Sequence, residues 1–364
     1  MSHVRDRVLG LIEASGLTRH AFATRIGLDD SKLSKSLSGA RRFSSLDLAR
    51  IADLCQVTVD WLITGEQPPL AMAARTTSGD ARAALEIAKR YSTLRTDMAL
   101  LGYPQPWRPM TASIGTGRYA EQGRRLAAEA LARVREAGHS ISNMASTEEV
   151  FGVDVAVVEL GAGFDGLAVS ADDVKLIVLA TSHIPARQRF TLAHELGHLL
   201  AGDDQGIHLD RDIFDDAQAR DPSEKRANAF ASAFLMPEGV LREAVGSTGL
   251  TDQTFARLAS DLMVTPSTLA YRLLHLRLID AGTCDRYKTI TGAKAASMVG
   301  RGEEFAQQVA EANTPRAPGL LVRDTYAAYE SGAATLRPYA SLLGVDVDEL
   351  RRTIESERGT PDAS

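Results

Sequence analysis

Cysteine is scarce in this 364-residue chain, with Cys55 and Cys284 far apart and no CxxC pair. That excludes a disulfide framework and a cysteine-based zinc site. It is also the usage expected in a reducing cytoplasm. Long apolar runs are missing too. No stretch approaches the roughly 18 apolar residues that a membrane-spanning helix needs. The opening MSHVRDRVLGLIEASG carries charge through its first turns. The sequence therefore predicts neither a signal peptide nor a membrane anchor, and a protein that acts in the cytoplasm where it is made. Positive charge is not in surplus. With a formal net charge of −6, any phosphate-binding surface must be a local patch. No repeat of fixed period is present.

What is present is ordinary folded-protein composition. Hydrophobic residues make up 44% and charged residues 24%, which excludes wholesale disorder. The length predicts two or three domains. From Val4 to about Glu66, apolar residues recur at helical spacing: Val8, Leu11 and Ile12, then Phe22, Ala23 and Ile26, then Leu33 and Leu37. Breaks at Ser15-Gly16, Gly27, Ser38-Gly39 and Gly65 divide this head into five short helices, with Thr18 and Asp29 as N-caps. QPPLAMAARTTSGD, residues 67–80, reads as a linker. Helices follow at 81–101 and 119–138. Between them the Pro/Gly-rich stretch 102–118 reads as a loop or lid over a site.

Short β-branched runs bounded by Gly and Asp predict strands at 153–159, 166–170 and 174–179. Further helices are expected at 186–202, 223–235, 251–262, 266–276 and 320–355. SERGTPDAS reads as a disordered tail. The fold class is α+β: an all-α head, then a small sheet among many helices. The domain plan is 1–66 head, 67–118 linker and helical connector, 119–249 sheet-containing domain, 250–355 helical extension and 356–364 tail.

The segment Arg189–Leu200 reads RFTLAHELGHLL. On a helix His194 and His198 lie on one face, about one turn apart, so two imidazoles can reach one tetrahedral metal. Glu195 sits beside the first, where it can act as general base on water. Leu192, Leu196, Leu199 and Leu200 can bury the rest of the helix. Alone, such a pair is equally compatible with a packed core helix. A catalytic site of this kind needs a third protein ligand. Glu224 opens a helix whose other face, Ala227, Phe230, Ala231, Phe234 and Leu235, is apolar. On pattern alone Asp212, Asp216 and His208 compete with it. Arg187, Arg189 and His208 are candidate oxyanion donors, although each reads more readily as a structural surface group.

RQRFTLAHELGHLL, followed by EKRANAFASAFLMP from Glu224 to Pro237, resembles the ImmA/IrrE family of bacterial metallopeptidases. The resemblance covers roughly residues 120–280. Phe234 stands where the family's pattern usually has Leu or Met. The resemblance implies a zincin-like domain with Zn2+ held by His194, His198 and Glu224, and Glu195 as general base. It also implies a partner transcriptional repressor as substrate, cut in a stress, phage or mobile-element response. LTDQTFARLASDLMVTPSTLAYRLLHLRLI, residues 250–279, is similar to the family's helical extension, in which Arg272 is typical, and has a helix-turn-helix pattern of its own.

The run TRHAFATRIGLDDSKLSKSLSGARR, from Thr18 to Arg42, resembles an XRE-type helix-turn-helix at Ala23, Gly27, Leu28, Ser31, Leu33, Ser34, Leu37 and Gly39. The resemblance implies double-stranded DNA as a partner. The second helix would enter a major groove with Ser31, Lys32, Ser34 and Lys35 outward. Arg19, Arg41 and Arg42 are placed to meet phosphates or base edges. Between Ser31 and Arg42 basic residues stand without an acidic one, although Asp29 and Asp30 precede them. A homodimer is compatible with this reading. A competing one makes the chain a transcription factor or antitoxin-like regulator, its metallopeptidase fold serving only to sense or dimerise.

Overall fold

The computed structural model describes residues 4–14, 17–55, 59–64, 79–110, 117–139, 144–160, 164–171, 173–203, 207–210, 222–246 and 249–358. The expected linker (apart from 79 and 80) and most of the expected tail lie outside these. The chain forms two compact units, Met1–Leu85 and Glu86–Ser364.

The first unit contains α1 (Val4–Ala14), α2 (Arg19–Arg25), α3 (Asp30–Ser38), α4 (Ser45–Cys55) and α5 (Val59–Thr64). The expected caps are made: the Thr18 hydroxyl accepts from Ala21 N–H, and the Asp29 carboxylate from Lys32 N–H. Each satisfies an N–H that a helix start leaves without an intrahelical partner. Gly27, at φ 67°, turns the chain between α2 and α3. Val8, Phe22, Ile26, Leu33, Ile51 and Leu62 close one core.

The second unit opens within α6 (Gly79–Leu100) and continues through α7 (Tyr119–Glu136), α8 (Met144–Phe151), β1 (Asp154–Val158), β2 (Gly166–Ala171), β3 (Val174–Ala180), α9 (Pro185–Ala201) and β4 (Ile207–Asp210). Then come α10 (Pro222–Leu235), α11 (Glu238–Val245), α12 (Asp252–Asp261), α13 (Pro266–His275), α14 (Ala281–Tyr287), α15 (Gly292–Met298), α16 (Gly302–Ala312), α17 (Gly319–Glu330), α18 (Arg337–Leu343) and α19 (Val347–Arg358). The class is α+β, as the sequence predicts.

The sheet order is β1-β3-β2-β4. β1 runs parallel to β3, pairing Val155 with Ile177, while β2 is antiparallel to both β3 and β4. All of β1 is buried, in keeping with the apolar run Val155–Val158 that follows Asp154. α9 starts with Pro185 in its first turn, where the ring's fixed φ suits a helix and its missing N–H is not needed. The helix is buried on nearly every side, and its leucines enter the main core.

α10 packs between α7 and α9 at very short range, and glycine makes that possible. A Cβ on Gly197 of α9 would lie 2.9 Å from the Phe230 ring, and one on Gly123 of α7 would lie 2.2 Å from the Arg226 carbonyl oxygen.

Two stretches behave differently from the sequence expectation. From residue 86 onward the expected connector helix belongs to the second unit and buries one face. Arg95 of α6 is 1% exposed and bonds Asp154 of β1 at 2.7 and 2.8 Å and Asp324 of α17 at 2.6 Å. The expected lid is pinned over its described first half. Gln105 brackets the Lys175 peptide at 2.6 and 2.7 Å, Arg108 N–H bonds Phe151 O, and Trp107 and Met110 pack on the core. These bonds fix that half to the start of β3 and the end of α8. Residues 111–116 lie outside the described residues.

The candidate metal centre

His194 comes from the second half of α9 and His198 from its last turn, one turn apart, and Glu224 from the first turn of α10. The helix contact at Gly197 brings the carboxylate to the imidazoles. The His194 Nε2 and His198 Nε2 atoms are 3.1 Å apart, and the Glu224 oxygens lie 3.3 and 3.4 Å from them. One ligand atom from each of the three residues fits within 4.8 Å of the others. All three side chains are buried, and Glu195 is 0% exposed. β2 runs close to Glu195: a Cβ on Gly166 would sit 3.4 Å from Glu195 Oε1.

The far nitrogen of each ring is held as well. His194 Nδ1 lies 3.1 Å from the Asn228 side-chain oxygen, and His198 Nδ1 lies 3.3 Å from Asp203 Oδ2. Acceptors at both Nδ1 atoms place the ring protons there and leave the Nε2 lone pairs facing the common point. Two imidazoles and a carboxylate, buried and convergent, are a donor set that fits a metal ion of the zinc kind.

The sequence brings this site out in part. The structure brings His194, His198 and Glu224 together, with Glu195 next to His194 on α9. Of the rival third ligands, Asp212 and Asp216 lie outside the described residues, as does the His208 side chain. Arg187 and Arg189 have structural partners: Arg187 bonds Asp165 at 2.6 Å, and Arg189 donates to Leu262 O at 2.7 Å. Burial pushes the Arg189 guanidinium down to about 10, which marks a packed group. Sequence reasoning misses Asn228 and Asp203. Asn228 follows Glu224 by four residues, a same-face spacing that could have pointed to it. Asp203 follows the glycine that ends α9, and nothing in the pattern announces it.

In the first unit Arg19, Ser31, Lys32, Ser34, Lys35 and Arg42 are exposed. Arg41 differs. It is half-buried, pairs with Asp47 at 2.8 Å and donates to the Ser36 hydroxyl at 2.9 Å.

Residues 148–274 match the family model described as the IrrE N-terminal-like domain, and residues 11–62 match a helix-turn-helix domain model. The chain is 38% identical over 123 residues to the radiation response metalloprotease IrrE of Deinococcus radiodurans, covering 34% of this chain and 37% of that protein. It is 34% identical over 99 residues to the protein of the same name in Deinococcus deserti, covering 27% and 35%. The chain thus spans little more than a third of the length of the curated relatives it matches. It joins a helix-turn-helix domain to an IrrE-like metallopeptidase-family domain. No helix among the described residues is long and apolar enough to cross a membrane.

Proposed function

We propose that this chain is a zinc-dependent endopeptidase that acts in the cytoplasm on a transcriptional repressor, carried to it by a DNA-binding head. The observation that carries the catalytic part is the buried convergence of His194, His198 and Glu224, with Glu195 beside them. Three protein donors leave a further position for water or substrate, the pattern of catalytic rather than structural sites. When bound there, zinc supplies Lewis acidity at a scissile carbonyl and acidifies water toward a pKa of about 7. Glu195 takes the proton from the attacking water and passes it to the departing amine. Its burial makes that transfer local. Asn228 and Asp203 keep both imidazoles in the tautomer that the ligand role needs.

The head supports the choice of substrate. Six of the seven residues proposed to face DNA are exposed, and Lys32 and Lys35 lie on one helix with Ser31 and Ser34. Arg41, tied to Asp47 and Ser36, holds the loop after α3 in place as well as adding charge. A peptidase delivered to an operator meets the repressor bound there. The relatives' name, radiation response metalloprotease, supports a stress context.

Metal analysis of the purified chain should give about one zinc per chain, lost in His194→Ala and His198→Ala. Glu195→Gln should keep the metal and abolish cleavage of a co-expressed repressor. Cleavage that survives Glu195→Gln removes the general-base role. A metal-free wild type removes the peptidase reading and favours a regulator in which the fold only senses or dimerises.

A further inference from the structure

A line of polar side chains runs from His198 away from the ligand atoms. Asp203, 3% exposed, faces His198 Nδ1 at 3.3 Å. Arg226 of α10 grips that carboxylate with two nitrogens: Nε lies 3.3 Å from Oδ2, and Nη2 pairs with Oδ1. The third guanidinium nitrogen, Nη1, donates to the Gln122 side-chain oxygen of α7 at 2.9 Å, and the Gln122 amide donates to Gly117 O at 3.1 Å.

Asp203 stands in a costly place. It follows Gly202, the left-handed cap that ends the 17-residue α9, and a buried carboxylate at a helix C-terminus faces the negative end of the dipole. A helix end alone favours Lys, Arg or Asn there. Asp203 does not itself join the ligand cluster, because it meets the ring nitrogen opposite the one that faces Glu224. Its position therefore calls for another reason.

We propose that Asp203 and Arg226 are positioning residues for the metal centre, a reading that rests on the metal site described above. Asp203 accepts the Nδ1 proton of His198, which fixes the ring's rotation and reserves Nε2 for the metal. Arg226, through its fork, holds Asp203 charged and aimed at His198 against the helix dipole. Gln122 extends the hold to the first turn of α7. The first two turns of α10 thereby supply the ligand Glu224, the His194 partner Asn228 and, from another face of the helix, the clamp Arg226 on the His198 partner.

The test uses the full chain and zinc alone. Zinc affinity is measured by competition with a chromophoric chelator, and the visible spectrum of the cobalt form is recorded. Asp203→Asn keeps the shape and removes the charge, and it should weaken zinc binding by about 10–100-fold and shift the cobalt bands. Arg226→Met should do the same. Arg226→Lys keeps the charge but loses the fork, and should recover part of the loss. The double variant Asp203→Asn, Arg226→Met should bind no worse than the weaker single, because both act through one ring. Wild-type zinc affinity in Asp203→Asn, or losses that multiply in the double variant, would overturn the proposal. If Arg226→Met fails to fold, Asp203→Asn and Arg226→Lys still decide the matter. A wild type that takes up no zinc while remaining folded refutes the metal centre itself, a different result from an Asp203→Asn variant that binds normally.

Discussion

Gly123→Ala tests whether the metal site depends on a helix that contributes no ligand. A Cβ at this position would lie 2.2 Å from Arg226 O, 2.9 Å from Phe230 N and 3.1 Å from Ala229 Cβ. Ordinary contacts fall at about 3.5–4.0 Å, so α10 must retreat from α7 by about 1 Å. The nearest atoms are backbone, and no rotamer change can relieve them. Overpacking of this kind costs about 1–3 kcal/mol, while alanine in a helix interior returns about 0.5–1 kcal/mol. The expected net loss is about 1–2 kcal/mol, read by urea unfolding of the metal-free protein. Glu224 rides on α10, so the retreat also moves a ligand oxygen. A site needs its groups within about 0.5 Å, and zinc affinity should fall by about tenfold or more. A Gly123→Ala chain as stable as wild type, with unchanged zinc affinity, would refute the close helix packing that positions Glu224.

Four further outcomes follow from the same structure. Glu148, half-buried near Asp154, is pushed up to about 8, chiefly by loss of water and then by its acidic neighbour. Because its folded pKa lies above its unfolded value, it contributes stability at low pH that is lost as pH rises from about 4.5 to 8. The slope is at most about 1.4 kcal/mol per pH unit, and Glu148→Gln should flatten it in pH-dependent unfolding. Arg95→Met leaves Asp154 buried without its cation and Asp324 with Arg323 alone, and should cost about 3–5 kcal/mol by denaturant titration. Lys35→Ala with Arg42→Ala should weaken DNA binding and lower the salt slope by about 0.9 for each phosphate no longer neutralised, checked by titration at several salt concentrations. Gly10→Ala, with open space around it in α1, should stabilise the head by about 0.5–1 kcal/mol in a melting experiment.

The parts of this protein that are legible in its sequence are those governed by short-range rules. The α9 histidines declare themselves through a four-residue spacing, whereas Glu224 stands out from Asp212, Asp216 and His208 only through the resemblance carried by EKRANAFASAFLMP. The caps at Thr18 and Asp29 are local hydrogen bonds, and they form where expected. β4 escapes because IHLD is only four residues long and polar at alternate positions. The seven-residue helices α14 and α15 are too short to show a period. Long-range partners escape for a different reason. Arg95 looks like one more helix-surface charge until Asp154 and Asp324, 59 and 229 residues away, close around it. Asp203 likewise has no role until α10 folds back to clamp it.

The position of α17 has a practical meaning for anyone dividing this chain. The family match ends at residue 274, which invites an expression fragment that stops near there. Such a fragment would lack Asp324, and with it half of the acidic cradle around Arg95. It would also lose the backbone pairing of Arg316 with Val157, made by bonds of 2.8 and 2.9 Å along β1. β1 would then present an open edge, a template for self-association. The smallest unit that folds cleanly should extend through Glu330. The boundary of sequence kinship and the boundary of cooperative folding are different places in this molecule.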